Sequence, residues 1–267
     1  STHCISSAAS DVYKRQHYTN AIVVVGFTFI HYFSKFFHLN KHSLIAKFSS
    51  LVGGVSIAYV FFHLLPSLIH YQADISTAYN LSATGAFQLL FATILFGLIV
   101  FYFLEVAMES SRLTMTIKRI NNQDMSDASF EEAHQRVFWA HMAPYAIYNI
   151  IVGILLADQS FESTATALIY LMVIGLHLFT NDWVLRHHFT QLYDKFGRGI
   201  ITFTVLLGWT IGFAFQINHI FIALLEAFVA GGIILNAIKD ELPECKGSNF
   251  PLFLMGTAAY SLFLIFI

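Results

Sequence analysis

Charge is what this chain has least of: Asp, Glu, Lys and Arg make up 11% of its 267 residues, against 57% hydrophobic. Soluble domains carry about a quarter of their residues as charges, so the balance excludes a water-soluble fold and leaves a bundle in lipid. No basic stripe and no recognition motif for nucleic acid occurs, which excludes nucleic acid as a partner. Cysteine is nearly absent. Ser1–Gln16 are polar and end in SDVYKRQ, a run resembling the translation of a sequencing-library transposon end, so they are set aside as a non-native leader. Cys245 is then the single native cysteine, which rules out a disulfide framework and a cysteine metal cluster. A phosphate loop, a nucleophile elbow and an HExxH pair are all missing, so nothing marks the chain as an enzyme.

What the chain has is apolar length, with 28 Phe among it. About 20 helical residues cross the hydrocarbon layer. Runs of that order occur at about 20–38, 44–69, 85–107, 134–157, 165–186, 198–216, 218–238 and 250–267. The expectation is an all-α integral membrane protein, one domain of eight transmembrane helices over 17–267, with a solvated loop at about 109–133. Ser129 and Glu132 at that loop's end have capping-box spacing, so the fourth span is expected to begin there. Pro144 falls inside that span, where it removes a backbone hydrogen bond and favours a kink. The freed carbonyl is tolerated if it faces protein or a polar cavity.

The basic residues orient the spans, because Lys and Arg accumulate in cytoplasmic connections. Lys35, Lys41 and Lys47 flank the first connection; Arg112, Lys118, Arg119 and Arg136 the third; Arg186, Lys195 and Arg198 the fifth; Lys239 and Lys246 the seventh. The even connections have none, which places both termini outside. Val52–Pro66 and Val229–Pro243 align without gaps, matching at Val52 and Val229, Gly54 and Gly231, Ile57 and Ile234, Leu65 and Leu242, and Pro66 and Pro243. Span 2 runs outward and span 7 inward, so this is the trace of an inverted repeat, of spans 1–3 with 6–8, as expected for alternating access.

A strongly polar residue at mid-membrane is a functional candidate by default. Asn149 lies near the middle of span 4, and His177, Asn181 and Asp182 lie in span 5. His177 and Asn181, four apart, share a helix face, with Asp182 about 100° further round. Nitrogen and oxygen donors together suit zinc, iron or manganese. The plainer alternative is interhelical hydrogen bonding, and Asp182 can also pair with Arg186. Glu226 is a carboxylate inside span 7 without an obvious local partner, either protonated, facing a pathway, or bonded to a nearby backbone group or serine. His63 and Asp240 hold equivalent repeat positions, as mouth residues or as helix caps. Glu105 and Glu109 read as interfacial. His31, His38, His70, His187, His188 and His219 lie at or near interfaces and are given no role.

Over nearly all of 20–267 the chain resembles the ZIP family of divalent metal-ion transporters. The resemblance rests on the eight spans, on the HLLP that ends span 2, on AGGxxxxxxxDxLPE at Ala230–Glu244, and on two polar motifs. The family's HNxxDG corresponds to Tyr148-Asn149-Ile150-Ile151-Val152-Gly153, and its HExPHE to His177-Leu178-Phe179-Thr180-Asn181-Asp182. The resemblance implies that a divalent metal ion, zinc or iron first, passes between spans 2, 4, 5 and 7 as substrate. Asn149, His177, Asn181 and Asp182 would be its transient ligands, and no resident cofactor is implied. The plasma membrane, or the inner membrane of a bacterium, is the expected location. Phe-rich faces can meet lipid or a second copy, so a homodimer stays open. Losses at Tyr148, Val152 and Leu178 point to the alternative of a transport-inactive binding or regulatory relative. An intramembrane metal-dependent hydrolase would need three strong convergent ligands plus water.

Overall fold

The computed structural model describes residues 2–36, 42–120, 127–215, 217–239 and 249–265, and among them there is no strand. Helix α1 spans Thr2–Phe33, and α2, His42–Tyr59, passes through a π-helical turn at Val60–Leu64 into α3, Leu65–His70. Short α4, Gln72–Tyr79, leads to α5, Ala83–Ile120, and α6, Asp127–Asp158. Then come α7, Thr164–His188, the single turn α8, Thr190–Leu192, and a second π turn at Tyr193–Gly197. Last are α9, Arg198–Ala214, α10, His219–Lys239, and α11, Phe250–Ile265.

Among the described residues, six stretches are long and apolar enough to cross a membrane: Lys47–His70, Ala83–Ser111, Glu131–Asp158, Thr164–His188, Thr190–Ala214 and His219–Lys239. The first and last expected spans fall in α1 and α11, and neither joins the six; the apolar helix Phe250–Leu264 is shorter. Large apolar side chains point outward along these helices, among them Phe91, Phe96 and Phe103 of α5 and Phe203 and Phe213 of α9. In water so continuous an apolar surface drives association, whereas lipid covers it, and helices keep every backbone group paired there.

Helix ends differ from the expectation. The first helix begins at Thr2 and runs through the segment set aside as leader, so no helix boundary marks residue 17. Most of the expected loop at 109–133 is helical, since α5 continues to Ile120 and α6 starts at Asp127. Hydropathy marks where a helix leaves the bilayer, not where it ends, and Glu, Arg, Lys and Met continue a helix well in water. Ser129 lies inside α6, not at its cap. The helix begins at Asp127 instead. Pro66 explains the break in α2–α3. Its ring has no N–H and crowds the carbonyl four residues back, and the π turn just before it widens the helix to make room.

The helices pack as two groups. In the first, α1 lies on α7 and α9, and α6 lies on α9; in the second, α2 lies on α11 and α10, and α5 lies on α10. The groups meet where α2 touches α7 and where α6 touches α5 and α10. Glycine sets the tightest crossings, because lipid-embedded helices associate through close packing. A Cβ on Gly54 would lie 2.1 Å from the Phe253 carbonyl oxygen, and one on Gly256 2.3 Å from that of Leu51. In α10 and α5 a Cβ on Gly231 would lie 2.1 Å from the Ile94 oxygen, and one on Gly97 2.1 Å from that of Phe228. Gly54 and Gly231, like Leu51 and Phe228, hold the same place in the gapless alignment. Gly153 and Gly208 make a similar crossing between α6 and α9, which gives the glycine of the expected fourth-span motif a packing role.

Candidate functional site

Helix α7 carries the polar centre and starts from a capping box, in which Ser163 accepts from the Thr166 N–H and the Thr166 hydroxyl accepts from the Ser163 N–H. Inside the bundle its consecutive residues Asn181 and Asp182 point into different surroundings. Asp182, 1% exposed, meets His31 of α1, with Oδ2 2.8 Å from Nδ1, and His31 itself is fully buried. Tyr193 hydrogen-bonds Ser34 at 3.2 Å and reaches the same carboxylate. The alternative partner of Asp182, Arg186, is engaged elsewhere, through a two-pronged pair with Asp194 at 2.8 and 3.0 Å. His31 therefore leaves the group of interfacial histidines. It ties α1 to α7, with Nε2 buried and without a hydrogen-bond partner. Asn20, about three turns before it on the same face, donates to the Leu156 and Gln159 carbonyls, each at 3.0 Å, and so closes the end of α6.

On the other side of α7, Asn181 Nδ2 donates to His177 Nε2 at 3.2 Å. His177 is buried, beside the Tyr148 ring with centroids 6.2 Å apart. Its Nε2 lone pair is thus occupied by the amide, and a metal ion could take it only after Asn181 turned away. Asn149, also buried, donates to the Tyr145 carbonyl at 2.9 Å, while its Oδ1 has no partner. Of the four expected ligands, His177 and Asn181 are joined directly. Asp182 is held apart by His31.

A cavity of about 120 Å³ ends at this centre. It opens beside Ala107 and Ala140, both exposed, and is lined inward by Glu105, His141, Tyr145, Tyr148, Asn181 and Asn236. These residues come from α5, α6, α7 and α10, so both helix groups contribute walls. Pro144 also lines it, together with Ala140, whose carbonyl the proline deprives of its helical donor. At the mouth Lys239 binds Glu105 at 2.7 Å. The Tyr148 hydroxyl is buried and has no hydrogen-bond partner.

The expected pathway residues separate. Glu226, 4% exposed in α10, accepts a hydrogen bond from Ser67, so α10 and α3 are joined there by the hydroxyl option. Ser67 also donates to the Leu64 carbonyl at the π turn, at 2.7 Å. His63 is exposed and stacks on Tyr59 with ring centroids 5.1 Å apart. Asp240, with His38 and the Pro243 end of the second repeat copy, lies outside the described residues. Among the described residues no group of three or more His, Cys, Asp and Glu stands ready to hold a metal ion.

Sequence reasoning passed over His31 and Asn236. His31 had a signal: Asn20, Val23, Phe27, His31 and Ser34 recur at helical spacing and are all buried. Asn236 is an amide within an otherwise apolar run, by itself a mark of function. The chain matches no protein-family model, no curated protein and no solved structure.

Proposed function

We propose that the chain is a ZIP-like membrane transporter that moves divalent transition-metal ions, zinc, iron or manganese, by alternating access. The observation that carries this reading is the cavity whose walls come from both helix groups and which ends at Asn181 and Tyr148, beside buried His177. A site between two packed groups is what rocking of one against the other exposes to each side in turn. Matching glycine crossings at Gly54 and Gly231 support an inverted repeat, and with it eight crossings and both termini outside.

In this scheme the ion enters or leaves at the Glu105–Lys239 end, and His177, Asn181 and Asn149 are its transient partners. Asp182 acts through His31, holding α7 against α1. The far side is filled by Tyr59, Tyr170 and Phe161, with Tyr59 and Tyr170 centroids 6.4 Å apart and Phe161 and Tyr170 5.3 Å apart. Lipid and the ion are the partners, in the plasma membrane or a bacterial inner membrane.

One observation favours the transport-inactive alternative. The sole carboxylate of the expected ligand set is committed to His31, which leaves only neutral donors to offset the dehydration of a dication. Uptake of zinc, iron and manganese into proteoliposomes separates the two. Transport predicts that His177→Ala/Asn181→Ala lowers uptake by roughly 10- to 100-fold, the usual loss for a disturbed metal environment. Folded wild-type protein that moves none of the three ions would turn the reading to the inactive relative.

A further inference from the structure

The corner where α1 ends and α9 begins gathers positive charge that the polar centre does not use. Tyr193 of the second π turn is hydrogen-bonded to Ser34 in the turn Ser34–Phe36, which brings the segment of Lys35 against that of Lys195 and Arg198. Arg198 ties the two directly. Its guanidinium lies 4.8 Å from the centre of the Tyr32 ring, Nη1 reaches the Tyr32 carbonyl at 3.5 Å and Nε donates to the Asp194 carbonyl at 2.9 Å, which leaves the rest of its N–H fork for an anion. Lys35 and Lys195 lie over the exposed rings of Phe36 and Phe196, at 4.6 and 4.9 Å. Asp194, the one carboxylate in these segments, has both oxygens taken by Arg186. Among the described residues no acidic side chain pairs with Lys35, Lys195 or Arg198, so their charge is uncompensated. Open space adjoins them, since a Cβ on Gly199 would meet nothing within 4 Å.

The surroundings decide what this patch meets. Tyr32, Phe36, Phe196 and Trp139 are exposed around it, the last two with ring centroids 5.9 Å apart, as in the aromatic belts that lie at headgroup level. From Phe36 a row of rings leads back along α1, Phe36 to Phe33 at 5.7 Å and Phe33 to exposed Phe29 at 4.3 Å. Cations at the head of an apolar track match a molecule with an anionic head and a hydrocarbon tail. We propose that Lys35, Lys195 and Arg198 bind the headgroup phosphate of an anionic phospholipid, with an acyl chain along the Phe36, Phe33 and Phe29 row. This site is separate from the transport reading and stands whether or not an ion moves. The headgroup bridges α1 to the π turn about one helical turn from the His31–Asp182 pair, and so braces the first helix group.

The test is native mass spectrometry of the full chain in detergent, titrated with phosphatidylglycerol or with phosphatidylcholine, with the unfolding midpoint read in parallel. Wild type is expected to hold phosphatidylglycerol roughly tenfold or more tightly than phosphatidylcholine, and to unfold at a higher temperature with it. Lys35→Gln/Lys195→Gln is expected to lose most of that preference and Lys35→Arg/Lys195→Arg to keep it. Arg136→Gln, which removes a cation paired with Glu132 on α6, is expected to leave it unchanged. No preference in wild type, the full preference in Lys35→Gln/Lys195→Gln, or an equal loss in Arg136→Gln overturns the inference. Inorganic phosphate that displaces the lipid and raises the midpoint as far also overturns it, because the site would then take a free anion. If Lys35→Gln/Lys195→Gln does not fold, Lys195→Gln alone, at an exposed position, decides: a loss of roughly fivefold is expected, and no loss overturns the site.

Discussion

Tyr59 of α2 and Asn236 of α10 hold the same place in the two related stretches, yet one is packed shut and the other borders open space. Tyr59, 3% exposed, has Tyr170 and Tyr260 rings at 6.4 Å and His63 stacked at 5.1 Å. Asn236 faces the cavity shared with Asn181 and Tyr148. The two backbones are built alike: each helix crosses its partner at the aligned glycine with nearly the same separation. Side-chain volume therefore makes the difference, a filled aromatic end against an amide-lined opening on a common helix frame. Exchanging which end is filled is the change that alternating access requires.

The largest effect is expected where that frame is broken. Gly231→Val places branched carbon where even a Cβ would sit 2.1 Å from the Ile94 oxygen, so α5 and α10 must separate. Backbone cannot yield as a flexible side chain does, and the cost is expected at roughly 3 kcal/mol or more. Gly54→Val is expected to match it at the α2–α11 crossing. Gly53→Ala, whose added Cβ meets nothing nearer than 3.5 Å, is expected to be neutral or slightly stabilising. Denaturant titration in detergent measures all three. Equal stability of Gly231→Val and wild type would remove the common frame on which the comparison stands.

The next effect lies within the first helix group. Asp182→Ala leaves His31 buried without its partner, and breaking such a pair typically costs about 3–5 kcal/mol. Replacing both with apolar residues, His31→Phe/Asp182→Leu, is expected to recover most of that loss, because the desolvation of both groups disappears with them. Asn181→Ala loses one hydrogen bond beside a cavity, so about 1 kcal/mol is expected, with uptake rather than stability bearing the damage. If Asp182→Ala unfolds no more easily than Asn181→Ala, the His31 pair is not what holds α1 to α7.

How far the sequence already showed this depended on the kind of signal. Apolar runs fell on helices of the described chain, six of whose helical stretches are long and apolar enough to cross a membrane, because hydropathy and internal backbone pairing act along the chain. Pro144 and the polar α7 residues were visible as departures from an apolar background. His31 was not, because depth in the bilayer was weighed and helical face was not. Its neighbours Asn20, Phe27 and Ser34 mark a buried stripe. Pairing of Asp182 with His31 joins residues far apart in the chain, and two nearer candidates, Arg186 and the presumed metal, competed for it. The π turn before Pro66 depends on how the backbone redistributes its hydrogen bonds, which residue types alone do not fix.

Single cysteines change stability least and test the open and closed ends most directly. In a background with Cys4→Ser and Cys245→Ser, Asn181→Cys and Asn236→Cys place thiols in the cavity, while Ser56→Cys places one in buried α2 a turn before Tyr59. Thiol reactivity follows access of water and thiolate, so a membrane-impermeant reagent added at the Glu105–Lys239 side is expected to label the two cavity positions at least roughly tenfold faster than Ser56→Cys. The same reagent on the opposite side is expected to reach none of them, because the aromatic rings around Tyr59 fill that end. Labelling of Ser56→Cys from the opposite side at the cavity rate would mean that the aromatic end also opens to water. The contrast between Tyr59 and Asn236 would then describe one moment of a moving pair, with both states populated at rest.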